Sequence, residues 1–151
     1  MLGRLTSIFI LIYLSLGLLS LPYELWAGLD NIIITQVQIS GGAGKTTYDF
    51  IELYNPTAGA IDLRGFRLVK RTASGTSDQT IKSWTSSTVV KPGGYYLWAN
   101  KDYSELAQIT NTTTSAAIAN DNGIALRQGA ENTGIIIDSL AWGKAQNGLG
   151  E

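Results

Sequence analysis

The chain of 151 residues carries 11 Lys and Arg against 12 Asp and Glu, a net charge of −1, and 44% hydrophobic residues, with no Cys and no His. A balance so close to neutral offers no long-range attraction to nucleic acid or anionic lipid. Without thiols or imidazoles it has no Cys- or His-based nucleophile, no usual zinc, haem or copper site and no disulfide, so no cofactor is expected and an exported form must hold by its core alone.

Residues 1–30 read as a segment apart. Arg4 precedes an apolar run over residues 5–21, Pro22 breaks it, and Trp26-Ala27-Gly28 supplies small residues at which a peptidase can cut. The run sits at the short limit for crossing a bilayer core of roughly 30 Å. The expectation is a cleaved secretory signal, with an uncleaved anchor as the alternative and membrane contact only through that anchor. Residues 31–151 then form the domain. Ile33, Val37 and Ile39 alternate with Gln36 and Gln38, the pattern of a half-buried strand. Gly44-Lys45-Thr46 ends the loop after it in the manner of a phosphate-binding loop. Ile39 stands where that motif needs its first Gly, however, and a strand follows where it needs a helix, so a Gly-rich turn is the reading.

Tyr48–Tyr54 is an aromatic and aliphatic strand, with Ile51 and Leu53 on one face and Tyr48, Phe50 and Tyr54 on the other. Asn55-Pro56 ends it, and Ile61–Leu68 reads as the returning half of a hairpin-like pair, continued by Val69-Lys70-Arg71. Thr72–Asp78 is a polar loop, and Ile81–Trp84 and Val89-Val90 are short strands. Lys91-Pro92-Gly93-Gly94 is a turn leading into the strand Tyr95–Asn100. Asp102–Ala107 suits one helical turn capped by Asp102, and Asn111–Ser115 reads as an exposed linker. Ala116–Asn120 and Gly123–Gln128 flank an Asn-Gly step that predicts a hairpin, and Gly134–Trp142 is the last strand. Short strands at this spacing indicate an all-β sandwich or barrel.

Four blocks together carry more than a class. Asp49–Thr57, Ile61–Leu68, Lys91–Leu97 and Ile137–Gly143 resemble, in order, those of the lamin-tail domain, from about Ile32 to the end of the chain. The resemblance implies an immunoglobulin-like β-sandwich of the bacterial, exported type, found alone or beside secreted enzymes, and brings no catalytic residues with it. Nothing here makes the coiled coil that accompanies the domain in nuclear lamins, so a filament role is not carried over. Bacterial relatives run on past Gly150-Glu151 into another strand. The expectation from the resemblance is therefore a C-terminally truncated fragment or an unusually short member, in which a missing final strand would leave a sheet edge unpaired.

Arg64, Arg67, Lys70 and Arg71 are the densest charge run, and Arg67 and Arg71 share a strand face that would present a basic strip to an anionic polymer. The competing reading is a solvated edge strand whose charges discourage sheet pairing. Asn120, Asp121 and Asp138 lack the alternating pattern of a calcium loop and read as turn residues. Asp49, Glu52 and Asp62 are the carboxylates a glycoside hydrolase would pair, but Glu52 between apolar neighbours is expected to meet Arg67 across the sheet. Tyr54, Trp84, Tyr95, Trp98 and Trp142 would stack on sugars where exposed and fill the core where not. With the apolar lead segment, the lack of Cys and His and the lamin-tail resemblance, the expectation is an exported, non-enzymatic binding or adhesion module that recognises a cell-surface protein or polymer through loops at a sandwich end, secreted or held at the surface. The alternative is an accessory domain of a secreted carboxylate-dependent hydrolase, or such a hydrolase itself.

Overall fold

A computed structural model describes residues 30–145 and Leu149. The expected signal or anchor and the expected truncation point at Gly150-Glu151 lie outside the described residues. Among the described residues ten strands follow one another: β1 Ile33–Gln38, β2 Phe50–Tyr54, β3 Ile61–Asp62, β4 Phe66–Thr72, β5 Gln79–Ser83, β6 Val89–Val90, β7 Tyr95–Asn100, β8 Thr112–Thr114, β9 Asn122–Gln128 and β10 Ile135–Ala141. A 3₁₀ turn, Ser104–Leu106, joins β7 to β8. Two four-stranded sheets, ordered β1-β2-β7-β8 and β10-β9-β4-β5, enclose the core, and β3-β6 form a small third ladder. The described residues form an all-β domain, an immunoglobulin-like sandwich as expected.

Side-chain alternation builds the two layers. Ile51 and Leu53 of β2 and Tyr96 and Trp98 of β7 meet Phe66 and Leu68 of β4 and Ile124 and Leu126 of β9 in one buried cluster. β1 keeps its core face by a bulge. The register slips between Ile34 and Gln36, so Ile34 pairs with Leu53 and Val37 with Ile51, and both pack inward across an odd step. A second bulge lies between Ile136 and Asp138 of β10, and there the Asp138 Oδ2 accepts the Ile34 amide at 2.6 Å. That bond ties the edge strands of opposite sheets together along one side of the sandwich.

Four local readings give way to tertiary structure. The hairpin-like pair does not form: β2 lies between β1 and β7, whereas β4 lies in the other sheet between β9 and β5. Asn55 turns the chain out of the first sheet instead. Fully buried, it donates through Nδ2 to the Gly59 and Val90 carbonyls and accepts through Oδ1 from the Thr57 amide and hydroxyl. The Asn122-Gly123 step makes no hairpin but opens β9, laddered to β4 on one side and β10 on the other. A Cβ at Gly123 would stand 3.3 Å from the Leu149 nitrogen, a tight contact that a small shift of that backbone would have to relieve. Thr112–Thr114 is a parallel edge strand on β7 and not a linker. Asp102 does not cap the 3₁₀ turn, whose first flanking residue is Tyr103 with no side-chain cap.

Candidate functional site

Three regions gather chemistry. The first is the outer face of the β1-β2-β7-β8 sheet. Because Ile51, Leu53, Tyr96 and Trp98 point inward, Phe50, Glu52 and Tyr54 of β2 and Tyr95 and Leu97 of β7 point out, paired as Tyr54 with Tyr95 and Glu52 with Leu97. The two tyrosine rings lie 4.7 Å apart at 33°, and Tyr95 is 59% exposed. At the other end of the face Tyr48 stacks on Tyr103 at 4.5 Å, with the Lys45 ammonium 4.8 Å above the Tyr48 ring. Between them the segment after β7 folds back. Asn111 brackets Leu97, accepting its amide through Oδ1 at 2.7 Å and donating its own amide to the Leu97 carbonyl at 2.9 Å. This sets Leu106 and Ile109 beside the strand. Gln36, Phe50, Glu52, Leu97, Leu106 and Ile109 then line a groove of about 160 Å³, with Ile109 67% exposed.

The second region is one end of the sandwich, where the chain crosses from β8 to β9. Inward-facing polar side chains of both sheets grip the crossing backbone. Asn100 Nδ2 donates to the Ala116 carbonyl at 2.7 Å, Lys70 Nζ to the Ala117 carbonyl at 2.5 Å, and Asp49 Oδ2 accepts the Ile118 amide at 2.8 Å. Asp49 is fully buried and its Oδ1 has no partner. Burial pushes its carboxyl above the usual range, opposed by the Ile118 hydrogen bond and the nearby Lys70 charge. A cavity of about 310 Å³ opens beside this crossing, lined by Ile39, Ser40, Thr46, Ile118, Ala119 and Asn120.

The third region is the outer face of the β10-β9-β4-β5 sheet. Arg67, Val69 and Arg71 of β4 alternate outward and lie opposite Arg127, Ala125 and Gly123 of β9. Asp78, fully buried at its side chain, receives Arg71 Nε on Oδ1 and Arg127 Nε on Oδ2, each at 2.7 Å. Arg127 also donates to the Gly134 carbonyl at 2.6 Å, and Asn132 accepts the Asp78 amide. Glu131 accepts the Thr80 amide, and hydrogen bonds from Thr80 hold its carboxyl below the usual range.

The four basic residues singled out in the sequence are thus divided. Arg67 and Arg71 share the outer face, Arg67 bonded to the Gly129 carbonyl at 3.2 Å and to the Thr80 hydroxyl at 3.4 Å, and Arg71 paired with Asp78. Lys70 faces the opposite way, into the crossing, and Arg64 sits in an exposed turn 3.7 Å from Asp62. Arg127 and Asp78 stand in no recognisable motif; the one visible signal is an arginine closing the apolar run Ile124–Leu126, where an unpaired charge is costly. Glu52 does not meet Arg67, which lies in the other sheet, and accepts the Thr35 hydroxyl at 2.7 Å instead.

The carboxylates do not converge. Asp49 faces the core, Glu52 the outside of the same sheet, and Asp62 accepts the Arg64 and Thr88 amides, which lower its pKa. Asp121 accepts the Lys144 amide and Asp138 the Ile34 amide, so both serve backbone turns and seams. Among the aromatics, Trp84 and Trp98 are core residues, Trp142 is half-buried with its Nε1 on the Ala119 carbonyl, and Tyr54 and Tyr95 are the outer-face pair.

Compared with family models, residues 27–144 match the Lamin Tail Domain. A search of curated proteins finds no match.

Proposed function

The chain belongs to the lamin tail domain family, and on that premise we propose that it is an exported, non-catalytic binding module that engages a cell-surface protein or polymer through the outer face of its β1-β2-β7-β8 sheet. The observation that carries the reading is the division of the aromatics. The tryptophans Trp84 and Trp98 fill the core, while Tyr95 stands 59% exposed beside an open apolar groove. Large apolar side chains left in water next to a preformed concavity mark interaction surfaces. The opposite sheet supports the choice by contrast. Its outer arginines are engaged by Asp78, Thr80 and backbone carbonyls, which favours structure over ligand capture there. Export rests on Arg4 and the apolar run over residues 5–21.

Two measurements test the proposal. Full-length protein carrying Tyr95→Ala and Ile109→Ser, both surface changes, is expected to lose at least about tenfold in affinity for cell-envelope fractions while unfolding like the parent. Unchanged binding would remove the outer face from consideration. Fractionation with immunoblotting is expected to find a product shorter than full length outside the cytoplasm. A full-length product in the membrane pellet would replace cleavage with anchoring.

A further inference from the structure

The outer-face groove also carries information about what fits it. At about 160 Å³ it is well below the roughly 300–1,000 Å³ of sites that enclose a whole small molecule. It has room for one large side chain. Phe50, Leu97, Leu106 and Ile109 make four of its six lining residues apolar, so the group it takes from water is apolar too. The other two, Gln36 and Glu52, stand at β1 and β2.

Glu52 gives the second half. Two neighbouring charged pairs are matched within the chain: Lys45 lies 3.1 Å from Glu105, and Lys101 lies 2.6 Å from Asp102. Glu52 is half-buried, its Oε1 accepts the Thr35 hydroxyl, and it forms no ion pair among the described residues. A partly desolvated carboxylate on the wall of an apolar groove attracts a cation and repels an anion, which sets specificity more than raw affinity. Gln36 adds an amide able to donate to and accept from a peptide backbone.

Building on the outer-face reading, we infer that the occupant is a segment of a partner protein that inserts one large apolar side chain between Leu97, Leu106 and Ile109 and places a neighbouring Lys or Arg on Glu52. The mode is an apolar anchor with one charge for orientation, in which the anchor supplies most of the affinity and the ion pair selects the sequence.

The test uses the full chain and synthetic twelve-residue peptides with a central Leu, Phe or Trp flanked by Lys, Ser or Glu, titrated by fluorescence anisotropy. The expected order is Lys above Ser above Glu, with at least about a tenfold span between the extremes at low salt. Glu52→Gln is expected to collapse that span while leaving Ser-flanked peptides within about twofold, and Ile109→Ser to weaken every peptide. Equal binding of Lys- and Glu-flanked peptides, or a preference that survives Glu52→Gln, overturns the inference. So does an absence of peptide binding, and neutral oligosaccharides that bind in place of peptides make the occupant a glycan. If Tyr95→Ala with Ile109→Ser abolishes envelope binding while no peptide binds, only the ligand class falls. If that variant leaves envelope binding intact, the outer-face reading falls with it.

Discussion

Replacing Asp78 by Asn puts the most concentrated electrostatic feature of the fold to the test. The change keeps shape and removes the charge between two guanidinium groups. Each carboxylate oxygen is 2.7 Å from an arginine Nε, and relative exposure is 0% for the Asp78 side chain, 7% for Arg127 and 19% for Arg71. An asparagine offers one acceptor and turns an NH₂ toward the other arginine, so a donor meets a donor. At an effective dielectric constant of about 20, each close pair of unit charges is worth roughly 4 kcal/mol before desolvation. Measured losses on breaking a buried pair, which include the charge left unpaired, run about 3–5 kcal/mol. For a domain of this size about 1 kcal/mol moves Tm by roughly 3–5 °C, so a fall of about 10–20 °C is expected. Thermal unfolding followed by tryptophan fluorescence reads it directly, since Trp84 and Trp98 lie in the core. The loss should persist at high salt, because a buried pair is poorly screened. Glu105→Gln, at an exposed pair with Lys45, is the matched control and should barely move the transition. A fall of less than about 3 °C for Asp78→Asn would refute the reasoning and show that the arginines find other partners at little cost.

Asp49→Asn tests the buried carboxyl at the crossing. Burial raises its folded-state pKa, so the stability that this group contributes is fully present below its unfolded value and is lost as pH rises through the folded one. The Asn variant lacks that loss and should gain on the parent as pH is raised from about 3 to about 7, read as the difference in urea midpoints; parallel profiles would show that the carboxylate is solvated after all. Gly93→Ala tests the Pro-Gly turn before β7. Gly93 has φ +67°, the Gly94 amide closes the turn on the Lys91 carbonyl at 2.8 Å, and the Gly93 amide reaches the Asn55 carbonyl. A Cβ there should cost about 1–2 kcal/mol in urea unfolding. Gly59→Ala, at a position with open space around it and no positive φ, should be neutral or slightly stabilising.

Local chemistry was legible in the sequence wherever a single segment decides its own conformation. The strand Tyr95–Asn100 and the Val89-Val90 strand follow from residue type and from the punctuation of Pro92, Gly93 and Gly94, and their bounds agree with β7 and β6. The inward pair Ile51 and Leu53 and the outward Phe50 and Tyr54 follow from a period of two. The absence of Cys and His narrowed the chemistry before any fold was known.

Tertiary structure decided everything that depends on which strand lies beside which. Composition cannot reveal that β2 pairs with β7 while β4 goes to the other sheet, so Glu52, which by sequence alone suits a pair with Arg67, belongs with Thr35. The Asn122-Gly123 step is a strong turn signal in isolation, yet two ladders hold it in a strand and outweigh that preference. The same holds for the candidate sites. Arg71 reads as a surface cation until Asp78, from the next strand connection, is buried between it and Arg127. Tyr95 and Trp98 lie three residues apart and read alike. Alternation sends one ring to solvent and the other to the core, and only the packing of the second sheet says which face is which. Pattern sets the period of a chain, but burial is a property of two surfaces that meet.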